Sequence, residues 1–222
     1  MVSSVSEIIY PNHCQLCNDG LLGAEVYVCS ACAYDLPYIE QNSPEQSKLS
    51  HLFSGRVEVV KIYSLLNYQK GKRVTELLHQ IKYHGKQKMG EYFGEILVAQ
   101  MNDKTIDVIV PVPLHVRRMR QRGYNQSTCI ARGIGRLTGI PVAAKALKRK
   151  SWSQSQTKFS KYDRWENVRS IFEVRSPEKL KGKHILIVDD VLTTGATVEA
   201  CMRELLAVEG VRVSVGALAA RV

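Results

Sequence analysis

The chain has 222 residues, of which 45% are hydrophobic and 23% are charged, and its formal net charge is +10. This composition is typical of a soluble globular protein, and the length allows one α/β domain with a small appendage. No apolar run approaches the ~20 residues that a membrane-spanning helix needs, and residues 1–7 lack the features of a secretory signal. We therefore expect a cytoplasmic protein without a membrane span.

The first 40 residues carry four cysteines in two pairs. Cys14 and Cys17 are followed, after eleven residues, by Cys29 and Cys32, so the pattern is CxxC…CxxC. Four thiolates at this spacing can surround one tetrahedral Zn²⁺ and form a closed structural site. Two disulfides are the alternative, disfavoured in a reducing cytosol, and His13 could replace one ligand. We predict a zinc-finger module over residues 1–40, with a structural Zn²⁺.

The next segment, residues 41–56, is polar around Pro44 and has no apolar period, so we predict a linker. Residues 57–222 then alternate between strand and helix patterns, which favours a doubly wound parallel sheet flanked by helices. The predicted elements are a strand at 57–68, a helical region at 74–101 broken near Gly85, a strand at 108–113, a helix with Ile130, Ile134 and Leu137 facing inward, a strand at 185–188, a helix at 197–206 and a strand at 211–219.

The positive charge is concentrated in one segment. Between Val108 and Tyr162 there are twelve Lys and Arg residues and no Asp or Glu, whereas the rest of the chain has 19 basic and 21 acidic residues. Such a block can neutralise the phosphates of a nucleic acid or a polyphosphate, although many charge runs are only solvated surface. We predict that nucleic acid is bound by Arg117, Arg118, Arg120, Arg122, Lys148, Arg149 and Lys150.

Three residues are candidates for binding an anion. Arg122 and Asn125 stand just before a predicted helix, where a guanidinium, an amide and the helix dipole can converge on a negative charge. Asn125 could instead only cap the helix, and Arg122 could be a surface charge. Lys82 could reach the same anion or merely extend its stem along its own helix.

Residues 151–163 are polar, basic and aromatic, with no helical stripe. This pattern is typical of a lid that closes over a site and excludes water. Its aromatic residues could stack on unpaired bases, or Trp152 could be buried in the core.

The most informative motif lies near the end of the chain. Ile185 to Val188 is an aliphatic run typical of a buried parallel strand, and Asp189 and Asp190 follow at its carboxyl end, where open α/β sheets bind ligands. The next residues are small and hydroxyl-rich, with a glycine that allows close approach of a phosphate to backbone N–H groups. The alternative is a strand-to-helix turn with incidental acids. We assign a catalytic role to the two aspartates and ligand binding to Val191, Leu192, Thr193, Thr194, Gly195, Ala196 and Thr197.

This motif resembles that of the type I phosphoribosyltransferases, whose ligand is phosphoribosyl pyrophosphate. The resemblance implies that Asp189 and Asp190 meet the ribose 2′ and 3′ hydroxyls, that the loop at 193–197 holds the 5′-phosphate, and that Mg²⁺ accompanies the ligand. It also implies that Arg122 lies on the pyrophosphate side of the ligand.

A longer set of motifs resembles the ComF family, the competence-associated proteins of natural DNA uptake with a phosphoribosyltransferase-like domain. The matching segments are Pro111–Leu114, Arg122–Gln126 with Tyr124 in place of the usual Phe, Ile81–Gly85, Arg164–Phe172 and the four-cysteine finger. The resemblance covers nearly the whole chain.

Two functions are compatible with this resemblance. In the first, the protein handles incoming single-stranded DNA in natural transformation, binds phosphoribosyl pyrophosphate and has a DNA helicase of the uptake machinery as a partner. In the second, it is an active phosphoribosyltransferase of nucleotide salvage or metabolism. A zinc finger and a long basic segment have no evident purpose in binding one small base, so the first function is favoured.

Overall fold

The computed structural model describes residues 13–68, 72–83, 85–150 and 171–222. The predicted lid at 151–163 lies outside these residues. Within them, the helices are α1 (Ser30–Tyr34), α2 (Pro44–Ser50), α3 (Lys72–Tyr83), α4 (Gln87–Leu97), α5 (Val116–Arg122), α6 (Gln126–Thr138) and α7 (Ala196–Leu206). The strands are β1 (Ile62–Asn67), β2 (Val108–Pro111), β3 (Leu147–Arg149), β4 (Phe172–Val174), β5 (His184–Leu192) and β6 (Arg212–Ala220). None of the described helices is long and apolar enough to cross a membrane.

Four strands form a parallel sheet in the order β1-β6-β5-β2, which confirms the predicted fold class. Each central strand is covered on both faces, because residues 185–188 and 213–220 are all buried. Pro111, at the end of β2, is in register with Val188, and the N–H of Val112 donates to the Val188 carbonyl at 2.9 Å. The chain segments that leave β2 and β5 therefore emerge side by side at one edge of the sheet.

Helices α4 and α6 pack closely on one face of the sheet because both contain glycine at the crossing. A Cβ on Gly94 would lie 2.2 Å from the Ile130 carbonyl oxygen, and one on Gly133 would lie 1.9 Å from the Glu91 carbonyl oxygen. This close approach holds the start of α6 beside the end of β5. One prediction for this helix is wrong, since Leu137 is 59% exposed while Cys129, Ile130 and Ile134 are buried.

The segment predicted as an irregular linker, residues 41–56, contains helix α2. Ser43 caps this helix by accepting the N–H of Gln46, and Pro44 occupies the first turn, where its missing N–H is not needed. Leu49 and Phe53 are fully buried against strands of the sheet and α7. The apolar residues of this segment, Leu49, Leu52 and Phe53, span little more than one helical turn, so the polar composition concealed a packed helix. The division at residues 40 and 56 remains a prediction.

The four-cysteine region packs directly on the sheet domain. Cys14, Cys29 and Cys32 belong to the same buried cluster as Leu77 and Met89. The two-stranded antiparallel ladder of β3 and β4 lies outside the main sheet and carries Lys148 and Arg149.

Candidate functional site

The two predicted aspartates lie near the carboxyl end of strand β5. Asp189 Oδ1 accepts the hydroxyl of Ser127 at 2.9 Å and the backbone N–H of Asp190 at 2.9 Å. Asp190 is 5% exposed, and the ammonium of Lys82 lies 2.7 Å from its Oδ2. Each carboxylate is thus held by a partner from a different helix.

The environment of Asp189 favours its protonated form. Burial, reinforced by the negative charge of Asp190, raises the pKa of Asp189 to about 7, although the bonds from the Asp190 N–H and Ser127 and the charge of Lys82 oppose this shift. A carboxyl group in this state is ready to be ionised by a ligand or cation that brings positive charge or hydrogen-bond donors.

The loop after β5 makes a tight turn at Gly195. This residue has φ of +74°, and a Cβ there would lie 2.6 Å from a ring carbon of Phe53, so both the backbone and the packing require glycine. Thr193 and Thr197 line a cavity beside the turn, whereas Leu192 is 1% exposed and belongs to the core. Leu192, which was predicted to bind the ligand, is therefore a packing residue.

The aspartates and the loop form one side of a cavity of about 210 Å³. Four cationic side chains, Lys82, Arg118, Arg122 and Arg149, line the same cavity. They come from α3, α5 and β3, so separate parts of the chain converge on the end of β5. The remaining lining residues are Val112, Pro113, Leu114, Gln126, Ser127 and Val191.

Arg122 is held in place by Tyr83. Its guanidinium carbon lies 4.8 Å from the centre of the Tyr83 ring, and Nη2 donates to the tyrosine hydroxyl at 3.1 Å. Its Nε and Nη1 are buried and have no hydrogen-bond partner among the described residues. Two unused donors of a fixed cation at a cavity wall suit an anionic ligand.

Asn125 has the capping role that the sequence left open. Its side-chain oxygen accepts the N–H of Ser127 at 3.1 Å, and its amide nitrogen donates to the Val112 carbonyl at 2.9 Å. It is not among the cavity-lining residues. Asn125 therefore shapes the loop after β2 and starts α6, and in this structure it does not face the site.

The predicted nucleic-acid-binding residues divide into two groups. Arg118, Arg122 and Arg149 line the cavity, and Arg149 also lies 5.5 Å from the centre of the Phe172 ring. The others are exposed on α5 and on the β3 region: Arg117, Arg120, Lys148 and Lys150. The basic surface is thus continuous with the cavity rim at Arg118 and Arg149.

A larger cavity, of about 350 Å³, lies beside the edge strand β1. Residues 59–64 line one part of it, and among them Lys61 is the charged residue. Most of the remaining lining consists of side-chain amides, those of Gln41, Asn42, Gln46, Gln100 and Asn102. The paired aspartates and the four cationic side chains line the smaller cavity instead. We therefore choose the smaller cavity as the candidate site because of its lining residues, although its volume is smaller.

The four cysteines of the N-terminal region come together as predicted. Their sulfur atoms all lie within 4.8 Å of one another, and Cys17 Sγ is 3.7 Å from Cys29 Sγ, close to the edge of a zinc–thiolate tetrahedron. Backbone N–H groups of Leu16 and Cys29 donate to Cys14 Sγ at 3.5 and 3.3 Å. The cluster could therefore hold one metal ion such as zinc. All six cysteines lie in the described residues and none forms a disulfide.

The environment of the cluster favours thiolate at one position. Although burial acts to raise the pKa of Cys14, backbone N–H groups, that of Cys29 foremost, lower it to about 6. Arg73 on α3 donates to Cys32 Sγ at 2.5 Å and pairs with Asp35 at 3.1 Å. These contacts tie the cluster to the sheet domain.

Comparison with known proteins agrees with this architecture. The family model of the phosphoribosyl transferase domain matches residues 88–221, which contain the aspartates, the loop and most of the cationic wall. The chain belongs to this family. The DNA utilization protein YhgH of Escherichia coli (strain K12) is 26% identical over 211 residues, which are 88% of this chain and 91% of that protein.

A second relative is Competence protein F of Haemophilus influenzae, which is 33% identical over 113 residues, covering 50% of this chain and 49% of that protein. Together with the domain match, these relatives place the chain in the ComF family. A solved structure of glutamine phosphoribosylpyrophosphate amidotransferase from B. subtilis, complexed with ADP and GMP, aligns with 62% of this chain and 30% of its own, at 19% identity and a TM-score of 0.46.

Sequence reasoning did not identify several residues of the site. Ser127 and Gln126 face the cavity from the first turn of α6, and Tyr83 orients Arg122. Ser127 could have been found from its position two residues after a capping Asn, since side chains of a first helical turn lie near the strand ends. Tyr83 offered no such signal, because its contact with Arg122 joins residues 39 positions apart.

Proposed function

We propose that the cavity binds phosphoribosyl pyrophosphate and that the protein uses this ligand while handling single-stranded DNA in a ComF-type competence function. The observation that carries the proposal is the meeting of an acidic pair, a hydroxyl-rich loop and four cationic side chains in one cavity. A pentose that bears a phosphate at one end and a pyrophosphate at the other needs these three kinds of partner.

Each part of the cavity has a role in this proposal. Thr193 and Thr197, with the backbone N–H groups at the start of α7, hold the 5′-phosphate. Asp189 and Asp190 accept the ribose 2′ and 3′ hydroxyls, since ionised carboxylates only accept hydrogen bonds. Arg122 meets the pyrophosphate with its two unused donors.

Two further cations complete the pyrophosphate side. Lys82 and Arg118 line the cavity with Arg122 and, in the proposal, balance the remaining negative charge of the ligand. Mg²⁺ would be held by Asp189 or Asp190 together with oxygen atoms of the ligand, and it would neutralise charge on the pyrophosphate. Carboxylate oxygens at a cavity wall fit this ion.

Single-stranded DNA is assigned to the exposed basic surface next to the cavity. Deoxyribose lacks the 2′ hydroxyl, so it offers no vicinal diol to the acidic pair, whereas its phosphates suit the side chains of Arg117, Arg120, Lys148 and Lys150. The DNA utilization protein and the competence protein to which the chain is similar support this role. A helicase partner remains part of the hypothesis through the same resemblance.

Calorimetry with phosphoribosyl pyrophosphate and Mg²⁺ tests the ligand. We expect the unmodified protein to bind it and Asp190→Asn to bind it on the order of tenfold more weakly, because one charged acceptor for the ribose is lost. Glu209→Gln, which removes an exposed carboxylate paired with Lys181, should leave the affinity unchanged. Absence of binding by the unmodified protein would refute the assignment. Release of pyrophosphate in the presence of a free nucleobase would favour the alternative, an active salvage enzyme.

Fluorescence anisotropy with a labelled single-stranded oligonucleotide tests the basic surface. The logarithm of the affinity should fall linearly with the logarithm of the salt concentration, and Arg117→Ala with Arg120→Ala should reduce the slope by about 1.4, or ~0.7 per phosphate contact. Binding that is indifferent to salt would contradict a phosphate-based interaction.

The proposal also includes a structural Zn²⁺ at the four cysteines. Metal analysis should give about one zinc per chain, and chelation should increase protease cleavage within residues 13–35, because the metal supplies folding free energy to small cysteine sites. A metal-free protein with the same protease resistance would overturn this assignment.

A further inference from the structure

The loop that the proposed function assigns to the 5′-phosphate rests on residues far away in the chain. Phe53 is fully buried, and its ring carbons lie 2.6 and 2.9 Å from the position that a Cβ on Gly195 would occupy. The ring therefore contacts the glycine backbone directly. No larger residue at 195 fits without displacement of Phe53.

Arg56 holds the same loop through hydrogen bonds. Its Nη1 donates to the carbonyl of Thr194 at 3.2 Å and to Glu199 Oε2 at 2.9 Å. Thr194 precedes the glycine, and Glu199 lies in the first turn of α7, so one guanidinium joins the loop to the helix that follows it. The guanidinium carbon also lies 5.3 Å from the centre of the Phe53 ring.

The segment that presents these two residues is itself anchored. Arg56 Nη2 donates to the carbonyl of Leu52, and Arg203 Nη2 donates to the carbonyl of Arg56 at 3.0 Å. Leu49, one turn before Phe53, is fully buried. The support behind the loop is therefore a packed part of the fold.

Fixing the Thr194 carbonyl has a direct consequence for anion binding. In a trans peptide the carbonyl and the next N–H point in opposite directions, so the bond to Arg56 also fixes the direction of the Gly195 N–H. Backbone N–H groups that must converge on one phosphate lose affinity when their directions are free to vary.

We propose that Phe53 and Arg56 are positioning residues that set the affinity of the 193–197 loop for a phosphomonoester, and this inference rests on the proposed function. Residues 44–56 are then part of the binding machinery, in contrast to a passive connection between two modules. Neither residue lines the cavity, so both act through the loop.

The experiment uses two probes on the full chain, each directed at one side of the cavity. Ribose 5-phosphate reports on the loop, and inorganic pyrophosphate reports on the cationic wall. We expect Arg56→Ala to lower the affinity for ribose 5-phosphate about tenfold, because the loop loses its hydrogen bond. The affinity for pyrophosphate should fall less than twofold, because the cationic wall is unchanged. Arg56→Lys should restore part of the loss, since an ammonium can still donate to the Thr194 carbonyl.

The matched control is Arg136→Ala. Arg136 pairs with Glu95 at 2.6 Å and with Glu91 at 3.5 Å. Its replacement by alanine therefore also removes a partly exposed guanidinium and breaks its ion pairs with carboxylates. It lies near the far end of α6 from the cavity, and both probes should bind this variant as they bind the unmodified protein.

The outcomes separate the inference from the proposed function. If the unmodified protein binds neither ribose 5-phosphate nor phosphoribosyl pyrophosphate, the proposed function fails and takes the inference with it. The positioning role is refuted, while the ligand assignment stands, if the unmodified protein binds both ligands and Arg56→Ala binds ribose 5-phosphate with unchanged affinity. The same conclusion follows if Arg56→Ala loses affinity equally for ribose 5-phosphate and for pyrophosphate.

Discussion

The two sides of the cavity are built in different ways. The loop side consists of a glycine turn that packs on Phe53 and continues into α7. The cationic side consists of long side chains from three elements, and Arg118 and Arg122 belong to the short helix α5, in which no residue is buried. Backbone groups fixed by packing are preorganised, whereas an exposed side chain such as that of Arg118 must be ordered by the ligand. Arg122, which Tyr83 holds in place, is the fixed member of the cationic side.

Because of this difference, we expect the two sides to differ in ligand specificity and in their tolerance of substitution. The loop side should discriminate sharply and tolerate little change, because its geometry depends on one backbone conformation. The cationic side should contribute charge through several partly redundant groups. Substitutions on the two sides are therefore expected to differ in size and in which probe they affect.

The largest effect is expected from Gly195→Ala. A Cβ at this position would clash with Phe53 at a φ of +74°, so the loop must move, and ribose 5-phosphate should bind at least about a hundredfold more weakly by calorimetry. Gly139→Ala is the matched control, because Gly139 has φ of +76° and nothing within 4 Å of its Cβ position.

Gly139→Ala should lower the free energy of unfolding by about 1 kcal/mol through backbone strain and leave ligand binding intact. Equal losses of affinity in the two variants would show that strain alone, and not the contact with Phe53, explains the effect.

A smaller effect is expected on the cationic side. Arg122→Ala should lower the affinity for inorganic pyrophosphate on the order of tenfold, because a fixed cation with two unused hydrogen-bond donors is lost. The loss is limited because Lys82, Arg118 and Arg149 remain in the cavity wall. Arg122→Lys should recover only part of the affinity, since lysine keeps the charge but loses the planar fork that stacks on Tyr83.

Arg132→Ala serves as the comparison for Arg122, because this exposed arginine on α6 does not line the cavity. Pyrophosphate affinity that falls equally in the Arg122 and Arg132 variants would indicate a general effect of net charge, and not a specific contact.

The most diagnostic effect is on stability and concerns the acidic pair between the two sides. Because the folded state raises the pKa of Asp189 from its usual 3.8 to about 7, folding favours the protonated form. The contribution of this group to stability is complete below about pH 4 and is lost as the pH rises through 7, by at most about 4 kcal/mol.

Asp189→Asn stays neutral, so its free energy of unfolding relative to the unmodified protein should rise between pH 4 and pH 8 in urea titrations. His184, whose pKa is lowered by burial, changes stability in the opposite direction, but it is present in both proteins and cancels. Parallel pH profiles for the two proteins would contradict the raised pKa.

The parts of the molecule that could be predicted from the sequence are those made from neighbouring residues. The cysteine pairs and the order strand, aspartates, loop and helix at residues 185–206 both fold locally, and the structure places their residues together as expected. The parallel sheet followed from the alternation of apolar runs, and the structure confirms it.

The parts that could not be predicted depend on contacts between distant residues. Arg56 reaches Thr194 across 138 positions, and its segment has a polar composition that concealed Leu49 and Phe53. Asn125 fitted both a cap and an anion ligand by residue type, and only its two hydrogen bonds decide for the cap. Leu137 fitted an inward helical position, yet it lies at the end of α6, where the helix leaves the core.

The most direct test of the account is a crystal structure of the protein with phosphoribosyl pyrophosphate and Mg²⁺. We expect the 5′-phosphate within hydrogen-bond distance of residues 193–197, the ribose hydroxyls on Asp189 and Asp190, and the pyrophosphate on Nε and Nη1 of Arg122. A ligand bound elsewhere, or a cavity that stays without ligand at saturating concentration, would contradict the central claim.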